Sequence, residues 1–522
     1  MTSIQFVAPR FQPVSSPPRS GFLGAVVLTL AALSGCAAIA PTALTAGDMA
    51  TANRSDQTRM RDQVAPLSGA LTLEEAVARG LKYNLDRRAR MMEEALALNQ
   101  LDVNNYDMLP RLVAQAGYSH RNNDRINLSR DVLTGQPSTS QFVSQDRGHH
   151  FGDLGLTWNL LDLGLGYFGA RQQADRVMIA SERRRKAMHL LIQDIRTAFW
   201  RATSAQKLQS QVQLTLAAAE EALVDSRTAE TERVRNPIDA LRYQRQLLEN
   251  LRLLEAVAQE LASAQVELAA LINAPLGQPI VIAELALPAV DASVLKLPLA
   301  DLEEAALGQN ADLREQHYNA RIAREETHKA MVRMFPYLSF SYALKYDSDS
   351  YLVNRNWNEA GLQLSFNLFN LLTGPAQIRL AESGVALADQ RRMAMQMTVL
   401  AQLHLARLLL MNAQSQFDRA DAIFVTDQKI ADLSRNRERA QVLSKLDRVA
   451  NDTAGILSLL RRYQALAQVQ KAESQLLANL GLEPRIGSTS ELSLSDLTEQ
   501  VRRQSDPWLS LRRPAGPAGA RP

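Results

Sequence analysis

The chain has 522 residues, of which 58 are Lys or Arg and 55 are Asp or Glu, and its mean hydropathy is −0.19. That hydropathy excludes a polytopic helical membrane protein, because such a protein needs many apolar stretches of about 20 residues. The formal charge of +3 is close to neutral and gives no indication of nucleic acid as a partner, and the single cysteine excludes an intrachain disulfide bond.

One long apolar stretch, residues 21–40, follows two arginines and precedes the first acidic residue of the chain. A basic segment followed by a short apolar segment is typical of a secretory signal. Within the stretch, four residues resemble the bacterial lipoprotein signal, in which the cysteine is acylated after cleavage: Leu33-Ser34-Gly35-Cys36. The resemblance implies a lipoprotein signal peptide over 1–35, a lipid anchor at Cys36 and an N-terminal segment over 36–70. A chance cysteine in an ordinary signal or in a single membrane anchor is the alternative.

The rest of the chain contains an internal repeat, with one half over 71–275 and the other over 297–484. A shift of 226 residues carries Leu73, Leu81, Asn84, Asp86, Met108 and Pro110 onto Leu299, Leu307, Asn310, Asp312, Met334 and Pro336. A shift of 208 residues carries Asn159, Gly166, Arg171 and Asp239 onto Asn367, Gly374, Arg379 and Asp447. Because the shift falls from 226 to 208, the first half holds a longer loop, between residues 118 and 151. A linker over 276–296 and a flexible tail over 485–522 complete the predicted domain organisation.

Both halves have the same predicted order of elements. A helical segment, 73–108 or 299–334, ends where a proline prevents its continuation. Two short segments that alternate apolar and polar residues follow, which predicts one strand hairpin in each half. Helices nearly free of Gly and Pro come next, over 171–235, 238–273, 376–443 and 445–480. At about 1.5 Å per residue the longer ones span on the order of 100 Å, and their heptad-like apolar spacing predicts coiled-coil packing.

Four strands per chain are too few to close a barrel. Strands that lie in a membrane must nevertheless form a closed barrel, because an open edge leaves backbone groups unpaired in lipid. Two chains give eight strands and three give twelve. Since side chains largely fill an eight-stranded barrel, a conduit favours three chains. The apolar strand faces are predicted to contact lipid through Trp158, Phe340, Tyr342 and Phe366. A soluble sheet with one buried face is the alternative.

The order and duplication of these elements resemble the outer-membrane efflux family of the TolC type, through Leu73-Glu74-Glu75-Ala76, Asn84, Pro110, Trp158-Asn159, Gly166 and their second-half equivalents. The resemblance covers nearly all of 71–484, and the lipoprotein signal is similar to that of members that serve drug or metal efflux. It implies a mainly α fold with membrane β structure, in which a trimeric 12-stranded β-barrel continues into a periplasmic α-helical barrel. It also implies a homotrimer in the bacterial outer membrane, in contact with its lipid, a periplasmic adaptor (membrane fusion) protein and an inner-membrane pump.

The turns that join the paired long helices contain the predicted tip residues Asn236, Asp239, Ser444 and Asp447. Asn or Ser followed three residues later by an acid is typical of a capped helix start, and capping alone is one interpretation. In the family such a turn contacts the adaptor, and nearby acidic residues surround the closed aperture. The resemblance therefore implies a ring of three Asp447 carboxylates that favours cations. The glycine usual before this turn is absent from the chain, which leaves the adaptor class open.

The sequence contains no His-Glu-x-x-His, nucleophile-elbow or Gly-Lys phosphate-loop motif, and we predict no catalytic residue, cofactor or bound metal. The pair His149-His150 lies in the long loop of the first half and is expected to be solvated there. A metal site is the less favoured interpretation, because one pair lacks the ligand count of a zinc site. The predicted function is a passive duct for efflux of small molecules, drugs or metals, in a tripartite export system. A type I protein secretion channel and a coiled-coil periplasmic structural or adaptor lipoprotein without a pore are the alternatives.

Overall fold

The computed structural model describes residues 41–62, 64–130, 132–232, 237–283, 292–442, 444–482, 489 and 491–503. The chain separates into two units, one up to Gln63 and one from Val64. The described part of the first unit contains helix α1, Ala46–Arg61, which buries none of its residues. A capping box begins this helix: the backbone N–H of Asp48 donates to the Thr45 hydroxyl, and the backbone N–H of Thr45 donates to the Asp48 carboxylate, each at 3.2 Å.

The second unit contains both halves of the repeat. Among the described residues, the first half forms α2 (Leu73–Tyr83), α3 (Leu85–Tyr106), β1 (Arg111–His120), β2 (Ile126–Arg130), β3 (Pro137–Val143), β4 (Gly148–Asn159), α4 (Leu160–Thr231) and α5 (Pro237–Leu271). The second half forms a 3₁₀ turn (Ala292–Lys296), α6 (Leu299–Gln309), α7 (Ala311–Val332), β5 (Tyr337–Asp347), β6 (Asn356–Ser365), α8 (Asn370–Arg439) and α9 (Lys445–Leu480). Helix α10 (Leu494–Arg503) follows. With 72 and 70 residues, α4 and α8 each span about 105–110 Å.

Each predicted first helix is in fact two helices, and the break falls at Asn84 in the first half and at Asn310 in the second. Both asparagines have extended backbone, with φ and ψ of −61° and 128° for Asn84 and −60° and 129° for Asn310. The side-chain oxygen of Asn84 accepts a hydrogen bond from the backbone N–H of Arg87 at 3.0 Å, and Asn310 accepts likewise from Leu313 at 3.1 Å. Asparagine is favoured at N-cap positions, so each of these residues follows the end of one helix and caps the start of the next.

The long helices α4 and α8 begin closer to the strands than predicted, and each passes close to the end of the preceding helical segment. A Cβ placed on Gly166 would lie 3.1 Å from Cγ of Met108, and one placed on Gly374 would lie 3.0 Å from Cγ of Met334. The repeat shifts relate both glycines and both methionines. Glycine therefore permits the same close approach in the two halves.

Strands β1, β4, β5 and β6 form one antiparallel sheet in that order, while β2 and β3 form a separate two-stranded ribbon in the longer loop of the first half. In the first hairpin Arg111 lies opposite Thr157, and in the second Tyr337 lies opposite Ser365. The shifts of 226 and 208 convert the first pair into the second. The two hairpins therefore have the same register.

The hydrophobic core lies between helices of both halves. Its largest cluster joins α2, α4, α5, α9 and α10 and includes Leu81, Ile195, Phe199, Trp200, Leu268, Leu466 and Leu497. A second cluster joins α6, α8 and α9 around Leu302, Leu403 and Leu476, and two smaller clusters continue along α4, α5 and α9. Burial of one such side chain stabilises the fold by about 2 kcal/mol. Because α9 packs against helices of both halves, each half depends on the other for its core.

Among the described helices, α8 meets the length and composition expected of a membrane span, and only 22% of its most apolar window is buried. Its exposed apolar residues include Leu380, Leu387, Met397, Leu408, Ile423 and Leu433. Exposed apolar side chains along a long helix are typical of a surface that another chain covers.

Candidate channel wall and helical tips

The register of the sheet places most apolar side chains on one face and most polar ones on the other, because directly opposed residues share a face. One face contains Leu112, Leu154, Leu156, Trp158, Phe340, Tyr342, Leu344, Leu362 and Leu364. The other face contains Arg111, Gln115, Asp153, Thr157, Ser339, Ser341, Lys345, Glu359 and Gln363. A sheet with these two faces is suited to separate an apolar phase from water.

Three of the four residues predicted to contact lipid lie on the apolar face. Trp158 lies directly opposite Phe340, and Tyr342 is two residues further along β5. All three side chains are exposed. Phe366 is half-buried and follows Ser365, the last residue of β6, so it lies just outside the strand. Contact of these side chains with lipid stays a prediction.

Both outer strands of the sheet have a free edge. Within the part of the chain that the structure describes, β1 pairs only with β4, and β6 pairs only with β5. An unpaired backbone group costs several kcal/mol in hydrocarbon, so a sheet in a membrane must pair both edges. The four strands of this chain therefore form an open sheet, which could lie in a membrane only if further strands paired with both edges.

At the ends of the strands, the two halves are linked by a polar network that the sequence did not predict. His149 is buried, and its Nδ1 lies 2.7 Å from Oδ1 of Asp347 in β5. Asp146 accepts hydrogen bonds from the backbone N–H and hydroxyl of Ser350 at 2.6 and 2.8 Å, and its own backbone N–H donates to Asp349. The expectation that His149 is solvated was therefore wrong, because strand pairing places it against an acidic partner 198 residues away.

The second helical tip is a capped helix start. The backbone N–H of Asp447 donates to the Ser444 hydroxyl at 3.2 Å, and that hydroxyl donates to the Asp447 carboxylate at 2.7 Å. Asp447 is exposed in the first turn of α9. Its negative charge therefore stabilises the helix N-terminus, and the carboxylate also remains open to solvent.

At the first tip, Asp239 occupies the first turn of α5, is exposed, and lies 3.8 Å from Arg242. Asn236 lies outside the described residues, as does the predicted lipid anchor Cys36. Of the four predicted tip residues, the structure therefore describes Ser444 and Asp447 at the second turn and Asp239 at the first.

Lys445 is a tip residue that sequence reasoning missed. Its Nζ lies 3.0 Å from Oε1 of Glu221 and 3.0 Å from Oδ2 of Asp225, both on α4. These two hydrogen-bonded carboxylates raise the pKa of the Lys445 ammonium. The lysine thus ties the start of α9 to the first half. The sequence signal for this contact is the group of acidic residues over 220–225 on α4, which can attract the lysine of the second turn.

A second polar group near the tip is the buried carboxyl of Asp452. Arg448 lies 3.5 Å and Arg435 3.8 Å from its oxygens, so both guanidinium groups favour the charged form. Burial has the larger effect and raises the pKa of Asp452 above its ordinary value. Among the described residues, no group of three or more His, Cys, Asp or Glu side chains is arranged to hold a metal ion.

No protein-family model and no curated protein matches this sequence. Solved structures do match. The outer-membrane channel OprN has 16% sequence identity and a TM-score of 0.60, with 78% of this chain and 89% of that chain covered. The chain has the fold of an outer-membrane channel. The Campylobacter jejuni CmeC outer membrane channel follows at 14% identity and a TM-score of 0.59, with 82% and 89% covered. The open state of the Neisseria gonorrhoeae MtrE outer membrane channel has 16% identity and a TM-score of 0.56, with 78% and 88% covered.

These similarities confirm the fold expected from the TolC-type resemblance, which is mainly helical with a duplicated hairpin and long-helix unit. OprN and CmeC are both described as outer-membrane channels. The sheet with its two faces and the long helices therefore share the fold of these channels.

Proposed function

We propose that the chain is the outer-membrane channel subunit of a tripartite export system, in which it joins a periplasmic adaptor protein and an inner-membrane pump. The observation that supports this most is the amphipathic four-stranded sheet with two free edges, from which the 72-residue helix α4 continues directly. Such a sheet serves a membrane barrel, and helices of about 105–110 Å reach far beyond a bilayer of roughly 30 Å.

The functional state is a homotrimer. Three chains supply twelve strands, which is enough to leave a water-filled lumen, whereas the eight strands of a dimer are largely filled by side chains. In this arrangement Trp158, Phe340, Tyr342 and Phe366 face outer-membrane lipid, and the face with Asp153 and Lys345 lines the lumen. The exposed apolar residues of α8 support the same assembly, because a neighbouring protomer would cover them.

The duct is passive, and its energy comes from the inner-membrane pump. Its cargo is small molecules, drugs or metals, and acylation of Cys36 anchors the chain to the outer membrane while the helices extend through the periplasm. The tips with Asp239 and Asp447 contact the adaptor, and three Asp447 carboxylates surround the aperture. A ring of negative charge of this kind favours cations over anions.

Fractionation and conductance test the channel. The protein should be recovered from the outer membrane as an SDS-resistant trimer, and the trimer should conduct ions across a planar bilayer. Recovery as a soluble periplasmic monomer would contradict the proposal and favour the coiled-coil adaptor alternative. Cys36→Ser should abolish incorporation of labelled palmitate, and unchanged labelling in that variant would refute the lipid anchor.

Cargo is tested in cells that lack the gene. Increased sensitivity to drugs or metal ions, restored by the wild-type chain, is the expected result. Unchanged sensitivity together with loss of one secreted protein would instead identify the type I secretion alternative.

A further inference from the structure

The contact between the two halves within one chain provides a template for the contact between two chains. In the sheet, the second strand of the first hairpin, β4, pairs with the first strand of the second hairpin, β5. The strands with the corresponding roles are β6 and β1, which are the two with free edges. A ring of halves therefore requires β6 of one chain to pair with β1 of another.

The repeat also determines the register of that pairing. The contact between β4 and β5 joins residues 151–159 to residues 347–339, with Trp158 opposite Phe340. A shift of 208 converts β4 positions into β6 positions, and a shift of −226 converts β5 positions into β1 positions. Both shifts hold in the sheet, because they convert the register of the first hairpin into that of the second. Residues 359–367 of one chain are thereby matched with residues 121–113 of the next.

We propose that β6 pairs antiparallel with β1 of a second copy of this chain in that register, with Phe366 opposite Ala114 and Ser365 opposite Gln115. The inference rests on the proposed homotrimer and specifies its interface.

The chemistry of the two strands agrees with this register. Leu362 falls opposite Tyr118, which continues the apolar face across the boundary, and Gln363 falls opposite Gly117 on the polar face. Glu359 falls opposite Arg121, so opposite charges meet at the end of the pairing. A slip of one residue would place each apolar side chain of β6 beside the polar face of β1, which a sheet between lipid and water does not tolerate.

The helices below the sheet support the same interface. Gln172 on α4 is 4% exposed, because α7 covers it and its amide donates to the carbonyl of Ile322 at 3.0 Å. Its equivalent on α8, Leu380, is 75% exposed. The equivalent of Ile322 is Leu96 on α3, which is 58% exposed. Leu380 and Leu96 are therefore expected to meet between two copies.

This interface between copies differs in charge from the contact within the chain. Within the chain, ion pairs at 2.7–2.9 Å join α4 to α7: Arg171 with Glu325, Asp175 with Arg321, Arg183 with Glu315, and Lys186 with Asp312. At the equivalent positions stand Arg379 with Asn99, Ser383 with Ala95, Arg391 with Ala89, and Ala394 with Asp86. None of these pairs has two opposite charges. Ion pairs thus join the halves of one chain, whereas apolar contact joins neighbouring chains.

Paired cysteines in the full-length chain test the register. Gln115→Cys combined with Ser365→Cys places two thiols directly opposite each other on the polar face. Gln115→Cys combined with Gln363→Cys is the matched control, on the same face but two residues out of register. That displacement of about 7 Å exceeds the reach of a disulfide, so we expect about tenfold more oxidant-induced cross-linking of subunits in the first variant. Each variant with a single introduced cysteine also keeps Cys36, and it measures the background level of cross-linking.

The outcomes separate this inference from the proposed function. Preferential cross-linking of the first pair supports the register. Stronger cross-linking of the control pair overturns the register. Absence of cross-links in both variants, with SDS-resistant trimers present, overturns the pairing of β6 with β1 and leaves the channel proposal standing. Recovery of both variants and the wild type as monomers overturns the two together.

Discussion

The side-chain amide of Asn84 donates a hydrogen bond to the backbone carbonyl of Leu271 at 3.1 Å. In the second half, Asn310 donates to the carbonyl of Asn479 at the same distance. The repeat shifts convert the first donor and acceptor into the second. Each asparagine therefore caps the start of one helix with its side-chain oxygen. Its side-chain nitrogen binds a carbonyl at the end of another helix, α5 or α9.

Asn84→Ala and Asn310→Ala should each destabilise the protein by about 1–3 kcal/mol, because each removes an N-cap and leaves a carbonyl without its partner. Thermal denaturation of the purified trimer in detergent measures the loss. Asn105→Ala, at an exposed site near the end of α3, is the control and should change little. Equal melting temperatures for all three variants would contradict this double role.

Gly481→Ala should be more damaging than Gly277→Ala. Both glycines have positive φ, 66° and 83°, so an alanine costs roughly 1–2 kcal/mol of backbone strain at either site. At Gly481 the new Cβ would also clash with the backbone oxygen of Gln309, whereas at Gly277 it would meet no atom of the described residues within 4 Å. A further loss of about 1–3 kcal/mol is expected at Gly481 alone. Similar melting temperatures for the two variants would refute this packing constraint.

The stability contributed by Asp452 should depend on pH. Its pKa in the folded protein is raised above the ordinary value of 3.8, so the folded state binds the proton more tightly than the unfolded chain. The free energy of unfolding of the wild type, relative to Asp452→Asn, should therefore fall as the pH rises from 3.8 through the raised pKa. Asp432→Asn, at an exposed partner of Arg435, is the control. A wild-type stability that rises relative to Asp452→Asn over this window would show that the sign is wrong.

The charge and the cap at the second tip can be separated. Asp447→Asn removes the negative charge and should lower cation preference and change single-channel conductance, if three such carboxylates surround the aperture. Ser444→Ala removes the cap but keeps the charge, so it should cost about 1 kcal/mol of stability and leave ion selectivity unchanged. Unchanged conductance and cation preference in Asp447→Asn would exclude Asp447 from the aperture.

Leu387 on α8 is 51% exposed, although its equivalent on α4, Ile179, is 7% exposed. Leu387→Glu should weaken the trimer at least tenfold, because it places an unpaired charge in an apolar interface. Leu387→Met keeps the volume and should assemble normally. Analytical ultracentrifugation in detergent measures the trimer fraction, and normal assembly of Leu387→Glu would place this face outside the interface.

Sequence reasoning succeeded where one local pattern decides the structure. The alternation of residues 338–346 was enough to predict β5 and its two faces, and the proline at 336 was enough to end the preceding helix. It failed at Asn84 and Asn310, because no proline interrupts the chain there and each break is marked by an N-cap residue alone. The two asparagines, each followed two residues later by aspartate, were the available signal.

Long-range polar contacts were beyond sequence reasoning for a different reason. The pair of His149 and Asp347, and that of Lys445 with Glu221 and Asp225, join residues about 200 positions apart. No local pattern specifies which charged side chains meet when two strands or two helices pack. The extra ribbon of β2 and β3 was likewise visible only as a longer loop.

Among the described residues, that ribbon occurs in the first half of the repeat and not in the second. A ring of three chains contains six copies of the hairpin and long-helix unit, which taken alone would look nearly the same after every 60° turn. Only every second unit has the ribbon. Viewed down the axis, the particle should therefore show three lobes around a wall of nearly sixfold appearance. In side views the same lobes should mark one end of the particle.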